Sequence, residues 1–367
     1  MLGNAEKNVE RSAQKPERAP ASDAIAGPDA FIALVASVLV SPEPFVHECN
    51  VDPLLPLPND DELKARRSQF LACFLANHQR FYATYAMLGD RRSKEVYLQQ
   101  ILFRLLGYKL ARSPCNTPDY WAHRSVCMAV PSEPSSLRDR LADLRHFRWQ
   151  RGATLLHIDC SIWAIFQQYF LRQYHLERPD VVVRPEAGEY VVDAGSFIGD
   201  TALDFACAVG PSGRVHAFEI IDSHLEIARH NLAQNPAISN VTLLPVAIAD
   251  RDQVGDVISG PVQPGFGIGP QRDAVAFRSL DSLVDEGVLP RVDFIKMDIE
   301  GGELAALRGA RRTLAAFRPK LAISVYHRVE DFFAIPQFLT ELDLGYRLHL
   351  EHYSMIQWET VLYAIAS

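Results

Sequence analysis

The fold is decided by residues 190–201, which read YVVDAGSFIGDT. The segment is an apolar strand that runs into a turn containing Gly195 and Gly199 and then opens a helix. Because glycine has no Cβ and tolerates positive φ, a ligand can approach the backbone of such a turn closely. In open α/β sheets, ligands bind at the carboxyl ends of the strands. The stretch therefore predicts an α/β sheet with a ligand site at the end of its first strand, although the glycines alone also fit a tight turn without a ligand.

Two acids, Asp193 and Asp200, bracket this turn. Carboxylates repel a pyrophosphate but attract a ligand that carries an ammonium and a sulfonium group. The turn also lacks the complete G-x-G-x-x-G pattern of dinucleotide folds. The two acids favour S-adenosylmethionine over a dinucleotide, whereas the glycines alone are a weak signal. We expect the cofactor contacts to come from Asp193, Gly195, Ser196, Phe197, Gly199, Asp200 and Thr201.

Glu219 and Ala247 extend the predicted cofactor site. Glu219 ends the second predicted strand, about 20 residues past the glycine turn, where an acid can bind both ribose hydroxyls. The third strand ends at residues 247–250, AIAD, and a small residue such as Ala247 leaves room for an adenine ring. A solvated charge and a plain strand exit are the alternative interpretations of these two positions.

The fourth predicted strand carries DFIKMDIEGGE at residues 293–303. Asp298 ends this strand at the ligand edge, and we expect it to contact the cofactor or to act as a general base. Lys296 lies inside an apolar strand, and an unpaired buried charge is costly, so Asp298 or Glu300 is its predicted partner. We interpret Glu303 as a favourable charge at a helix N-terminus.

His327 follows the fifth predicted strand. An imidazole titrates near neutrality, so His327 is our first candidate for the general base and Asp298 the second. A structural histidine is the alternative. A divalent cation held by Asp298 and Glu300 stays open, but two carboxylates at one strand end do not suffice to predict a metal site.

Strands and helices alternate after residue 190, which predicts parallel strands with right-handed crossovers. The last two strands are joined by a short polar link and should pair antiparallel at one edge. The predicted strands are 191–193, 214–219, 241–249, 293–298, 320–326, 346–352 and 360–366, with helices at 201–209, 223–235, 303–317 and 332–342.

The first half of the chain has a different pattern. Residues 1–28 are rich in Ala, Pro and Ser and are expected to form a disordered tail. Residues 29–160 are predicted to be a mainly helical region, and 161–367 the sheet-containing domain. Within the first half, helices are expected over 62–108, broken at Gly89-Asp90 with Ser93 as a cap, and over 160–174, whereas 111–150 reads as irregular. Tyr120, Trp121 and Trp163 shape an acceptor pocket or pack in the core.

Composition limits the function classes. Of 367 residues, 48% are hydrophobic and 22% charged, as is ordinary for a soluble globular protein. A net charge of -8 argues against a general nucleic-acid binder. The six cysteines form no C-x-x-C pair and are expected to be reduced. The apolar run 31–40 is too short to span a bilayer, so we expect a cytoplasmic protein; a homo-oligomer stays open.

Several of these stretches resemble the FkbM-type methyltransferases. They are 193–201, the strand end AFE at 217–219, KMDIEGGE at 296–303 followed by LRGA at 307–310, and RPK at 318–320. The likeness runs from about Phe166 to the C-terminus, and LGDRRSK at 88–94 is similar to the N-terminal extension of some members. One departure is Ile220, where a proline is common.

The resemblance implies a Rossmann-like class I methyltransferase fold, with a seven-stranded sheet and a helical N-terminal extension. It also implies S-adenosylmethionine-dependent O-methylation of a sugar hydroxyl, a polyketide or another small natural product. Two rivals remain. An NAD-dependent oxidoreductase needs a phosphate-binding turn, which the flanking acids disfavour. A non-catalytic nucleoside-binding protein would keep the fold without the chemistry. The segment 260–270, rich in Gly and Pro, has no predicted place.

Overall fold

The computed structural model describes residues 25–40, 50–53, 55, 59–137, 143–255 and 275–366. The segment 260–270 and residues 1–24 of the predicted tail lie outside the described residues. The tail's last residues are described. Pro28 begins the first helix, and the Gly27 N–H donates a hydrogen bond to Tyr82 Oη at 2.8 Å.

The described residues form helices, strands and a π-helical turn. The helices are α1 (Pro28–Val40), α2 (Asp60–Met87), α3 (Arg91–Leu106), α4 (Pro118–Met128), α5 (Ile162–Ile165), α6 (Asp200–Val209), α7 (Asp222–Ala233), α8 (Leu280–Asp285), α9 (Glu303–Arg308), α10 (Arg311–Phe317) and α11 (Asp331–Glu341). The π-helical turn, Phe166–Phe170, follows α5. The strands are β1 (Ser132–Pro134), β2 (Arg145–Arg151), β3 (Thr154–Cys160), β4 (Leu176–Arg178), β5 (Val181–Val183), β6 (Tyr190–Ala194), β7 (Arg214–Phe218), β8 (Val241–Leu244), β9 (Ala247–Ile248), β10 (Gln253–Gly255), β11 (Val275–Arg278), β12 (Phe294–Met297), β13 (Lys320–Ser324), β14 (Tyr346–His352) and β15 (Thr360–Ala366).

The centre of the fold is a seven-stranded sheet in the order β14-β15-β13-β12-β6-β7-β8. The strands from β13 to β8 are parallel, whereas β15 pairs antiparallel with both β13 and β14. The predicted mostly parallel α/β sheet with an antiparallel C-terminal pair is therefore confirmed. Because the parallel strands share a direction, their carboxyl ends form one edge, at which ligands bind in such sheets.

The third predicted strand, 241–249, is wrong beyond its first half. β8 ends at Leu244, and Ala247 lies in β9, which belongs to a separate three-stranded sheet of the order β10-β11-β9. The break falls at Pro245, which has no N–H to continue the ladder. Ala247 therefore lies beside Phe277 of β11 rather than at the end of a central strand.

Side chains alternate between the two faces of the central sheet, as the pleat requires. Val192 and Ile295 belong to a core that contains buried residues of α1–α3 and α8–α11. Their neighbours Val191 and Phe294 belong to a core on the other face, formed with α6 and the β4–β5 hairpin. The N-terminal helices thus pack directly on the sheet and share its core.

The start of α3 fixes these helices to the sheet edge. The predicted cap Ser93 is wrong, because Asp90 is the N-cap and its side chain accepts a hydrogen bond from the Ser93 N–H at 2.9 Å. Asp90 also contacts Arg178 at 2.8 Å and His349 Nδ1 at 2.5 Å. One carboxylate therefore joins α3, β4 and β14. This contact gives the LGDRRSK stretch, in which Asp90 lies, a structural role.

Residues 111–150 are not irregular throughout. Thr117 caps α4, which has Pro118 in its first turn, a position that proline favours. β1, β2 and β3 form an antiparallel sheet with Gly152 at φ +58° in the tight turn between β2 and β3. The predicted helix 160–174 is also wrong in part, since β3 runs to Cys160 and helical structure ends at Phe170.

The predicted pocket aromatics lie in one hydrophobic cluster. Tyr120 is buried in this cluster together with Tyr326, and Trp121, Trp163 and Phe197 pack against it. The segment before the sheet therefore borders the ligand edge. Across the described ranges, no helix combines the length and the apolar character that a bilayer crossing requires.

Candidate active site

The carboxyl ends of adjacent strands bring the predicted site residues to one edge. The Gly195 N–H donates to Phe218 O at 2.9 Å, which joins the ends of β6 and β7. The Asp298 N–H donates to Ala194 O at 3.0 Å, which joins the ends of β12 and β6. The ends of β7 and β12 are therefore each hydrogen-bonded to the end of β6, at one edge of the sheet.

Both glycines of the turn have structural reasons to be glycine. Gly195 has φ +80°, and a Cβ there would lie 1.9 Å from Asp298 O. Gly199 has φ +81° as the N-cap of α6, and a Cβ there would lie 3.3 Å from the Cβ of Ala228. The turn is thus shaped by backbone conformation and by close packing against the neighbouring strand end and helix.

Asp193 lies beneath the turn and is fully buried. Its Oδ2 accepts a hydrogen bond from Thr201 Oγ1 at 2.6 Å, and its Oδ1 lies 3.2 Å from Lys296 Nζ. The predicted partner of Lys296, Asp298 or Glu300, is therefore wrong: the direct partner is on the neighbouring strand. Burial alone would lower the pKa of Lys296, but the charges of Asp193 and Asp298 outweigh it and raise the pKa, so the ammonium persists.

Two polar atoms of the turn are buried without a hydrogen-bond partner. They are Ser196 Oγ and Asp200 Oδ1, in residues that are 0% and 7% exposed. Burial raises the pKa of Asp200 to about 6, because the attraction of Lys296 offsets it only in part and Asp193 adds repulsion. A cationic ligand near Asp200 would favour the carboxylate form.

Glu219 follows β7 and is buried. Its Oε1 accepts hydrogen bonds from the N–H groups of Ile220 and Ile221 at 2.7 and 2.9 Å. A proline at position 220 would lack the first of these donors. His224 lies 3.8 Å from the same oxygen and packs edge-on against Phe197, with ring centroids 4.4 Å apart. Glu219 and Phe197 are therefore brought to one place by α7.

Asp298 accepts hydrogen bonds from two phenols that the sequence reasoning missed. Tyr174 Oη donates to Oδ2 at 2.7 Å and Tyr326 Oη to Oδ1 at 3.0 Å. Burial would raise the pKa of Asp298, but the charges of His327 and Lys296 and the two phenols lower it, so the group is a carboxylate. Tyr326 directly precedes His327 at the end of the fifth predicted strand, so its position could have indicated it. Tyr174 is 124 residues from Asp298 and gave no local signal.

His327 is enclosed by carboxylates. Its Nδ1 lies 2.9 Å from Glu303 Oε1, and its Nε2 lies 3.3 Å from Asp298 Oδ1 and 3.6 Å from Glu300 Oε2. Burial would lower the pKa of His327, but these carboxylates raise it to about 10. The imidazole therefore holds its proton near neutral pH, which argues against its predicted role as a general base.

Glu303 does more than complement a helix N-terminus. It is fully buried, and its Oε1 accepts the Ile299 N–H at 2.8 Å in addition to its contact with His327. Glu300 has φ +56°, and its side chain is 61% exposed. The strand-end motif thus supplies three carboxylates around one imidazole, of which only Glu300 is largely open to solvent.

Residues 193–348 match the family described as the methyltransferase FkbM domain. The matched range contains the glycine turn, Glu219 and Asp298, so the match includes the strand-end site. Over this range the chain is similar to the FkbM methyltransferases.

Solved structures of similar fold include methyltransferase FkbM from Methylobacillus flagellatus KT. It is 22% identical with a TM-score of 0.51, and the alignment covers 80% of this chain and 60% of that chain. This chain therefore spans about 60% of the length of that protein. Fibrillarin from Aeropyrum pernix, solved with natively bound S-adenosyl-L-methionine, is 13% identical with a TM-score of 0.38, covering 62% of this chain and 84% of that chain. No curated protein matches the sequence significantly.

Proposed function

We propose that this protein transfers a methyl group from S-adenosylmethionine to a hydroxyl oxygen of a small acceptor, such as a sugar or another natural product. One observation carries the proposal. The carboxylate of Asp298, held by two phenols and an imidazolium, lies at the same sheet edge as the acidic glycine turn. The turn and the carboxylate cluster are then the cofactor end and the acceptor end of one site.

The residues at the cofactor end fit a cationic nucleoside. Ser196 Oγ and Asp200 Oδ1 are buried polar atoms that lack a partner, and Glu219 is an acid at the end of β7. We propose that Glu219 holds the ribose hydroxyls. The remaining contacts come from Gly195, Ser196, Phe197, Gly199, Asp200 and Thr201. Asp193 positions the turn through Thr201 and Lys296.

The bound cofactor supplies an electrophilic methyl carbon: the C–O bond forms as the C–S bond breaks, sulfur keeps the electron pair, and the hydroxyl proton leaves. In our proposal Asp298, not His327, receives that proton. The side chain of Asp298 is 21% exposed, whereas that of His327 is 4% exposed with both ring nitrogens facing carboxylates. Tyr174 and Tyr326 hold the carboxylate in place, and such positioning is a large part of catalysis of this kind.

Two measurements on the full chain test this function. Calorimetry should show binding of S-adenosylmethionine and no binding of NAD. Mass spectrometry of a panel of sugars and hydroxylated natural products should show the gain of one methyl group. Asp298→Asn should abolish most turnover while the cofactor still binds. Binding of NAD alone would favour an oxidoreductase, and cofactor binding without transfer to any acceptor would favour a non-catalytic protein.

A further inference from the structure

The cluster around His327 has the composition of a metal site. Among the described residues, Asp298, Glu303 and His327 bring one potential ligand atom each within 4.8 Å of one another, and Glu300 Oε2 lies 3.6 Å from His327 Nε2. We propose that His327 Nε2, Asp298 Oδ1 and Glu300 Oε2 bind a divalent first-row transition-metal ion. The ion's role in turnover rests on the proposed function; its binding does not.

The choice of atoms follows from the ring geometry. One ion binds one ring nitrogen, and Nε2 faces Asp298 Oδ1 at 3.3 Å and Glu300 Oε2 at 3.6 Å. Two ligands about 2.1 Å from one ion lie roughly 3–3.5 Å apart in tetrahedral or octahedral geometry. The observed spacings are therefore close to those of a coordinated set. The exposed Glu300 side chain can make the small adjustment that is needed.

Glu303 has a different role on the other side of the ring. Its Oε1 lies 2.9 Å from His327 Nδ1. A histidine that binds a metal usually donates its other ring N–H to a carboxylate, which fixes the tautomer and the ring orientation. Glu303 therefore leaves Nε2 as the nitrogen that coordinates, and it orients the ligand without binding the ion.

Buried polar atoms give an independent reason to expect a ligand here. Nε2 of His327 and Oε2 of Glu303 are buried without an aligned hydrogen bond, in side chains that are 4% and 0% exposed. Leaving such an atom unsatisfied destabilises the folded state. Coordination of Nε2 would satisfy one of these atoms, and a divalent cation would neutralise the excess of carboxylates.

The donor set also indicates the kind of ion and its use. One imidazole and two carboxylates suit Mn²⁺ or Zn²⁺ better than Mg²⁺, which prefers oxygen and water. A bound ion lowers the pKa of a nearby hydroxyl. An acceptor hydroxyl next to the ion would lose its proton more readily to the Asp298 carboxylate, and the oxygen would form the C–O bond as the C–S bond breaks and sulfur keeps the electron pair. Asp298 would then bind the ion through Oδ1 and accept the proton on Oδ2.

Mn²⁺ is the probe, because its free-ion paramagnetic resonance signal falls on binding. Full-length protein is stripped with EDTA, freed of chelator and titrated with Mn²⁺. We expect one ion per chain, displaced by Zn²⁺ but not by equal Mg²⁺. Glu300→Gln should weaken binding by roughly tenfold or more, with an unchanged melting temperature because Glu300 is exposed. Glu226 is an exposed acid on α7, and the control variant Glu226→Gln should bind Mn²⁺ as the wild type does.

Absence of Mn²⁺ binding, or equal binding by the wild type and Glu300→Gln, would overturn the ion site. The cofactor is titrated in the same EDTA-treated samples to separate the two proposals. If S-adenosylmethionine binds and methyl transfer runs at full rate in EDTA without Mn²⁺ binding, the ion site fails and the proposed function stands. If Mn²⁺ binds as expected but the cofactor does not, the proposed function fails and the ion site stands.

Discussion

Lys296 lies directly opposite Asp193 in the β12–β6 ladder, with Nζ 3.2 Å from Asp193 Oδ1. The same ammonium donates a hydrogen bond to Gly195 O at 2.6 Å. One buried cross-strand ion pair therefore ties β12 to the glycine turn that follows β6. The pair places the cofactor turn and Asp298 relative to each other.

Lys296→Met should destabilise the fold strongly. It leaves the Asp193 carboxylate buried without a cation, and breaking a buried pair costs about 3–5 kcal/mol in the free energy of unfolding. Urea unfolding monitored by circular dichroism measures this loss. The double variant with Asp193→Asn should recover part of the stability, since the unpaired charge is then removed. Losses that simply add in the double variant would contradict a direct pair.

Gly195→Ala should cost more than a left-handed backbone alone explains. Gly210 is the matched control, because it has φ +66° and an added Cβ would meet nothing within 4 Å. Gly210→Ala should lose about 1–2 kcal/mol from backbone strain. Gly195→Ala adds a clash with Asp298 O, and overpacking of this kind costs a further ~1–3 kcal/mol. Equal losses in thermal unfolding would show that the contact between the two strand ends is not tight.

Glu219→Gln should weaken cofactor binding and leave the fold intact. The amide oxygen can still accept the N–H groups of Ile220 and Ile221, whereas the negative charge offered to the ribose hydroxyls is lost. Hydrogen bonds to a charged group are worth about 1.5–3 kcal/mol, which corresponds to roughly 10–150-fold in Kd. Calorimetry with S-adenosylmethionine measures the change, with Glu226→Gln as the exposed control. Unchanged affinity in the Glu219 variant would remove this residue from the cofactor site.

The sequence predicted the site residues whose positions depend only on where the strands end along the chain. Asp193, Glu219 and Asp298 each stand where a hydrophobic run ends, and parallel strands bring such ends together. It did not predict what depends on register or on distant segments. Lys296 pairs with Asp193 because the two are opposite each other in the ladder, and no local pattern records that.

The phenols and the small sheets were missed for a similar reason. Tyr174 reaches Asp298 from a segment that precedes the sheet, and its φ of +70° belongs to no regular element. β1–β3 lie in a stretch whose prolines at 131 and 134 read as irregular, although an antiparallel sheet can hold a proline at its edge. Ala247 lies in a different sheet from the predicted one because Pro245, which has no N–H, interrupts the ladder before it.

His352 should make the stability of the fold depend on pH. It is 3% exposed, with Nε2 2.8 Å from Ile356 O and Nδ1 2.9 Å from Thr360 Oγ1, as a neutral ring allows. Burial, with the charges of Arg104 and Arg92, lowers its pKa to about 3. Between about pH 3 and 6.5 the unfolded chain binds a proton that the folded chain does not. Stability from this group is therefore complete above about pH 6.5 and falls as the pH drops, by up to about 1.4 kcal/mol per unit.

Urea unfolding at several pH values should show a shallower slope of unfolding free energy against pH for His352→Asn, whereas the exposed control His123→Asn should keep the wild-type slope. An identical slope in both variants would mean that the folded protein protonates His352 as readily as the unfolded chain does.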